Sequence, residues 1–90
     1  MKTFNDLKFN LHPGKGFDTQ AIMFFNNGYG ISVITGERAY GDDKAPYECA
    51  VIKGNKDKWI IATDTSITND VIGYCDKNEV TTIMKQIQKL

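Results

Sequence analysis

The feature that most constrains the fold is one stripe of apolar residues near the C-terminus. Asp76 stands just before the stripe and Glu79 follows three residues later, a pairing typical of a helix capping box. The segments before it are strand-like, so the stripe has only a sheet to pack against. Its members recur at the 3.6-residue period of a single helix face: Val80, Ile83, Met84, Ile87 and Leu90.

Strand-like runs rich in β-branched and aromatic residues precede this helix. Strands first and a helix last predict an α+β fold, with an antiparallel sheet of about five strands packed against one C-terminal amphipathic helix. Ninety residues suit one domain with one modest core, so we expect a single domain spanning residues 1–90. The predicted strands are 4–11, 19–25, 29–35, 47–53 and 58–63.

Two turns are marked in the sequence. The pair Asn27-Gly28 between two strand-like runs favours a type I′ hairpin turn, which needs positive φ at both residues. Residues 54–57 lie between the last two runs and predict a second hairpin with a four-residue loop.

Two weaker patterns concern the ends of the sheet. In the first run Leu7, Phe9 and Leu11 alternate with polar residues, which predicts a strand with these three side chains buried. In the mixed segment 64–73, Thr68 is a candidate cap for a short helical turn.

Charge and cysteine content limit the classes of partner and compartment. Eleven basic and eleven acidic residues cancel, which argues against nonspecific binding to nucleic acid or to a membrane surface. The N-terminus lacks the apolar run of a signal peptide, and no apolar stretch reaches the length of a spanning helix. We therefore expect a cytoplasmic protein in which Cys49 and Cys75 are reduced thiols, with a disulfide between them as the alternative.

The inventory of catalytic side chains is poor. His12 is the only histidine and has no carboxylate beside it to orient it as a general base, so we expect it to hydrogen-bond to backbone. Neither the P-loop spacing nor the EF-hand spacing occurs. The sequence therefore favours a non-catalytic protein with no catalytic residue, metal or cofactor.

Two other functions stay open at this point. A small metal-dependent hydrolase or nuclease would use Asp42, Asp43 or Asp64 as carboxylate ligands. A module that binds or sequesters a nucleotide or other small ligand would use Lys15 and the backbone amides of loop 12–16.

The long connection 36–46 carries the residues that we predict to bind a partner. A loop of this length in so small a domain is either functional or folded onto the sheet as a cover. Arg38 and Tyr40 are of the types enriched at binding hot spots, and Asp42 and Asp43 beside them would steer a basic partner surface. We expect a protein partner, with self-association as a further possibility. The structural alternative is that Tyr40 covers a sheet edge and Arg38 pairs with Asp42 or Asp43.

Several short motifs are also shared with other small proteins. They are LHP at 11–13, MFFNNGYG at 23–30 with SVI at 32–34, AYG at 39–41, YE and AV within 47–51, and TSITNDVIGY at 65–74 followed by EV at 79–80. In these motifs the chain resembles a family of small proteins of about this length from phages and other mobile elements. The resemblance implies only an accessory cytoplasmic protein of the phage type, an inhibitor of a host system being one example. It carries over no catalytic residue.

Overall fold

A computed structural model describes all 90 residues and confirms the α+β fold. One sheet and one C-terminal helix form its two layers. After a short 3₁₀ helix at Phe4–Asp6, the elements are β1 (Asn10–Leu11), β2 (Thr19–Phe24), β3 (Tyr29–Ile34), β4 (Tyr47–Asn55), β5 (Lys58–Ile61), β6 (Ile72–Cys75) and α1 (Lys77–Gln88).

The sheet is antiparallel throughout and is built around β4. Its strand order is β1-β2-β3-β4-β5, and β6 also pairs with β4. β4 has nine residues, and residues 48–53 pair with β3 along one side. Along the other side β4 pairs with β6 near Tyr47 and with β5 from Ile52 to Asn55. β4 is long enough to hold two short strands, so the sheet has six strands where five were predicted.

The core lies between α1 and the face of the sheet formed by β3, β4 and β6. The predicted capping box is present: Asp76 Oδ1 accepts from Glu79 N–H at 2.8 Å, and Glu79 Oε1 accepts from Asp76 N–H at 3.1 Å. Leu90, by contrast, lies beyond the end of the helix and is exposed. The buried core consists of Ile31, Val33, Cys49, Val51, Ala62, Cys75, Val80, Ile83, Met84 and Ile87.

A bilayer-spanning helix is not present, since none in the structure combines the required length with the required apolar character.

The N-terminal segment packs beside the helix instead of forming the predicted strand. Asp6 Oδ2 accepts from Thr3 N–H at 2.8 Å, which stabilises a turn where a strand was expected. Leu7 and Phe9 then pack against the core as predicted. Only β1 joins the sheet, and Leu11 at its end is 87% exposed, so the expected burial of Leu11 is wrong.

The turn of the first hairpin also differs from the type I′ prediction. Gly28 has a φ of +82°, but Asn27 is not in the positive-φ region. Asn27 instead uses its side chain: Oδ1 accepts from Tyr29 N–H at 3.1 Å, and Nδ2 donates to the carbonyls of Ile87 at 2.9 Å and Leu90 at 3.3 Å. These carbonyls belong to the end of α1, where backbone oxygens lack helical partners. The turn thus spans residues 26–28, closed by the bond from Phe25 N–H to the Tyr29 carbonyl at 2.8 Å, and the Asn27 side chain connects it to the helix end.

The structure also corrects the predictions for the second hairpin and for segment 64–73. The second hairpin closes over two residues, not four, because Asn55 Oδ1 accepts from the N–H groups of Asp57 at 2.9 Å and Lys58 at 3.1 Å. Thr68 caps no helical turn, because its Oγ1 accepts from Asp70 N–H within a local turn and the chain then enters β6. β6 has no counterpart among the predicted strands.

Truncation of a helix residue tests the packing of α1 on the sheet. Ile87 is fully buried, so Ile87→Ala should lower the free energy of unfolding by about 2–5 kcal/mol. Gln86 is its exposed neighbour on the same helix, and Gln86→Ala should change the value by less than about 0.5 kcal/mol. Urea denaturation of both variants measures the difference. Equal stabilities would show that α1 is not part of the core.

A second substitution tests the contact between the hairpin turn and the helix end. Asn27→Asp keeps the acceptor for Tyr29 N–H but loses the donor, and it adds a negative charge where the helix dipole is already negative. The free energy of unfolding should fall by roughly 1–2 kcal/mol. Asn26→Asp puts the same charge on the exposed neighbour and is the matched control. Urea denaturation curves that coincide for the two variants would contradict the contact.

Candidate functional site on the open sheet face

The helix covers one face of the sheet, and no second helix or sheet lies over the other face. Side chains alternate between the two faces along each strand. The outer face of a two-layer domain is usually polar, yet seven of the ten side chains of β2–β5 that the strand register places here are apolar. We call this uncovered side the open face; its apolar residues are Ile22, Phe24, Ile34, Ala50, Ile52, Trp59 and Ile61, and its polar residues are Gln20, Ser32 and Glu48.

A groove of about 170 Å³ lies on the open face. Trp59 and Ile61 contribute to its apolar part, and His12 and Glu48 add polar groups. Gln20 Nε2 donates to Ser32 Oγ at 3.3 Å across neighbouring strands. The full lining is His12, Gln20, Ser32, Ile34, Glu48, Ala50, Trp59, Ile61 and Val71.

Two larger clefts are open and mostly polar. One, of about 640 Å³, lies between the N-terminus and the first hairpin turn, and three of its eight lining residues are hydrophobic. The other, of about 470 Å³, lies beside the start of α1 and has one hydrophobic residue among seven. In the groove five of nine are hydrophobic. The groove is therefore the most apolar concavity of the three, as expected for a binding site.

Tyr40 is held next to the groove by its backbone. Its N–H donates to Glu48 Oε1 at 2.9 Å, and its carbonyl accepts from Tyr74 N–H at 2.8 Å. A Cβ added at Gly73 would lie 2.5 Å from the Tyr40 Cβ, so glycine is needed at 73 for this close approach. The Tyr40 ring remains 60% exposed. Its backbone is thus tied to the sheet, while its ring is available to a partner.

Arg38 packs on loop 12–16 and on Phe17, beside the groove residue His12. Its N–H donates to the Gly16 carbonyl at 2.9 Å, and its guanidinium carbon lies 5.9 Å from the centroid of the Phe17 ring. Phe17 packs in turn on His12, with 4.6 Å between ring centroids. His12 lines the groove, so Arg38 is connected to it through Phe17 and His12 without lining it.

The structure does not bring the predicted acidic residues to the groove. Asp42 Oδ1 accepts from the N–H groups of Lys44 at 3.0 Å and Ala45 at 2.8 Å, so it shapes a turn. Asp43 is exposed and lines the separate cleft beside α1, and Asp64 lies in the bend after β5. No group of three or more His, Cys, Asp or Glu side chains is arranged to hold a metal ion. The carboxylate cluster that the hydrolase alternative requires is not formed.

The side chain of His12 forms a hydrogen bond to the backbone of its own loop, residues 12–16. His12 Nδ1 accepts from Gly14 N–H at 2.8 Å, which confirms the expected bond to backbone. Phe17 N–H donates to the Gly14 carbonyl at 3.3 Å, while Lys15 is exposed. One of the amides that the small-ligand alternative needs is therefore already used within the loop.

The two cysteines meet inside the core, on β4 and β6. Both are free thiols, and both are almost fully buried. Burial raises the pKa of Cys49, and the neighbouring Cys75 raises it further. Burial also raises the pKa of Cys75. The thiols are therefore inert packing groups.

Alkylation tests this assignment. At about pH 8 the native thiols should react with iodoacetamide at least about 100-fold more slowly than those of the urea-unfolded chain, because a raised pKa removes the reactive thiolate. Lys56→Cys adds a thiol in an exposed turn, and this control should react fast in the native protein. Fast labelling of native Cys49 would refute the assignment.

The same raised pKa values predict a dependence of stability on pH. By linkage, the free energy of unfolding should decline once the pH exceeds about 8.5, where only unfolded thiols lose their protons.

Comparison of the chain with family models, with curated proteins and with solved structures finds no match. The resemblance to small phage proteins thus stays a prediction. The open face and the loop beside it are the features from which a function has to be inferred.

Proposed function

We propose that this chain is a non-catalytic binding protein that engages a protein partner through the open face and loop 36–46. The observation that supports this most directly is the apolar character of a sheet face with no layer over it. Exposed apolar patches rimmed by polar groups are typical of protein interaction sites. The groove, with Trp59 and Ile61 inside and Tyr40 beside it, has this composition.

The size of the groove favours a protein over a small ligand. Pockets for small molecules typically enclose roughly 300–1,000 Å³ and surround most of the ligand. The groove holds about 170 Å³, enough for one or two side chains of a partner. A protein can place an apolar side chain there and spread further contacts over the rest of the open face.

Arg38 and Tyr40 supply the directed contacts of this interface. Arginine and tyrosine combine a large contact area with fixed hydrogen-bonding groups, and both are enriched at hot spots. The Tyr40 backbone is tied down at Glu48 and Tyr74, so binding orders less of the loop than a free loop would require. The zero net charge disfavours a nucleic acid as partner.

The resemblance to small phage proteins adds a biological setting to this proposal. Under it the protein acts in the cytoplasm on a component of a host system, and binding alone carries the effect. Asp43 stands apart from the groove and contributes at most long-range steering.

Alanine variants of the loop test the proposal. The partner is captured from host lysate by cross-linking, and its affinity is then measured against purified wild type, Arg38→Ala and Tyr40→Ala. Each variant should lose about 30-fold or more in affinity, which corresponds to roughly 2 kcal/mol, at an unchanged melting temperature. Lys85→Ala, on the exposed side of α1, is the control and should bind like the wild type.

Two results would contradict the proposal. A lower melting temperature with intact affinity would make the loop a structural cover. A captured protein that binds all four chains equally would use a different surface.

A further inference from the structure

β5 is the last strand of the sheet and pairs along one side only. Ala62 N–H donates to the Val51 carbonyl on β4 at 2.8 Å. Backbone groups alternate in direction along a strand, so those of Lys58 and Ile60 also point toward β4. The N–H and C=O groups of Trp59 and Ile61 therefore point away from the sheet.

This edge lacks the features that usually block strand pairing. Proteins protect exposed edges with proline, bulges, inward charges or a covering segment. In β5 the only charge is Lys58 at its start, and three apolar residues follow. Ile60 is 66% exposed and Ile61 is 46% exposed. The opposite edge of the sheet differs, because β1 covers the start of β2.

The geometry points to a second copy of this chain as the occupant of the β5 edge. Two copies of β5 can pair antiparallel about a two-fold axis that passes beside Ile60. Trp59 of each copy then exchanges backbone hydrogen bonds with Ile61 of the other. Ile60 faces Ile60 of the second copy as a non-hydrogen-bonded pair, in which side chains approach most closely. Every position of the strand that faces the second copy is thereby matched to an apolar residue.

The charged residues near β5 are compatible with this strand register. Lys58 is opposite Ala62 of the second copy, so no like charges stand face to face across the axis. Asp64, two residues further along, is the diagonal neighbour that a lysine can reach. The zero net charge of the chain adds no overall repulsion between copies.

Pairing through β5 would also join the two open faces. Trp59 and Ile61 have their side chains on the open face. Across the axis, Trp59 of one copy would stand beside Ile61 of the other, an aromatic and β-branched pair that stabilises sheets. The inference does not rest on the proposed function, because a β5 dimer can form whether or not the open face binds another protein.

Charge substitution at the axis tests the pairing. Sedimentation equilibrium over roughly 1 μM to 1 mM should show the wild type forming a dimer of twice the 10.1 kDa chain mass. Ile60→Lys and Ile60→Glu each place like charges face to face and should raise the dissociation constant at least tenfold. An equimolar mixture of the two should regain the dimer, since lysine then faces glutamate. Leu11→Lys, at the opposite edge, should dimerise like the wild type.

Three outcomes would overturn the pairing. The first is a wild type that stays monomeric over the whole concentration range, and the second is an Ile60 variant that dimerises as tightly as the wild type. The third is an equimolar mixture of the two variants that fails to form the dimer although each variant melts like the wild type. Failure here leaves the Tyr40 and Arg38 affinities unchanged, so it can be told apart from failure of the proposed function.

Discussion

The structure depends on the packing of one helix against one face of one sheet. The apolar stripe of α1 meets residues of β3, β4 and β6, and together they form the only sizeable core that a chain of this length builds. The end of the helix is tied to the first hairpin through Asn27. Because the only α-helix lies on one side, the other face of the sheet has no helix or second sheet over it.

The open face is partly stabilised by its own side chains. Ile52 is fully buried although it lies on the uncovered side, where Trp59 and Ile61 on the neighbouring strand lie beside it. Buried apolar area adds stability wherever it occurs, roughly 25 cal/mol per Å². Ile61 nevertheless remains half exposed, so the burial on this side is incomplete. A partner that covers the open face would complete it.

The sequence predicted elements with a strong local period and missed those set by tertiary contacts. The helix and its capping box follow from apolar spacing and from Asp76 and Glu79, and both are confirmed. The first hairpin is confirmed, but its turn lacks positive φ at Asn27, whose side chain contacts the helix end. Strand β6 has four residues, among them a glycine and a bulge against β4, so its sequence shows no alternation.

The sequence indicated the loop of the candidate site but not its groove. Loop 36–46 is visible in the sequence as a long polar connection. Tyr40 is visible as an aromatic residue that lies in this loop and not in a predicted strand. The groove is not visible in the sequence, because it is assembled from four strands and two loop residues that only the folded structure brings together. One signal, the continuous apolar runs at residues 49–52 and 59–62, could have shown that both faces of the sheet are apolar.

Close approach of the loop to the sheet links the fold to the proposed interface. Tyr40 lies against Gly73, and its N–H uses the carboxylate of Glu48, a groove residue. A free eleven-residue loop would lose much conformational entropy on binding, at about 1–2 kcal/mol for each residue that becomes fixed. Here folding has already fixed the backbone at Tyr40 and left its ring exposed. Under the proposed function, the glycine in β6 would therefore serve recognition as well as packing, because it lets the loop dock on the sheet before a partner binds.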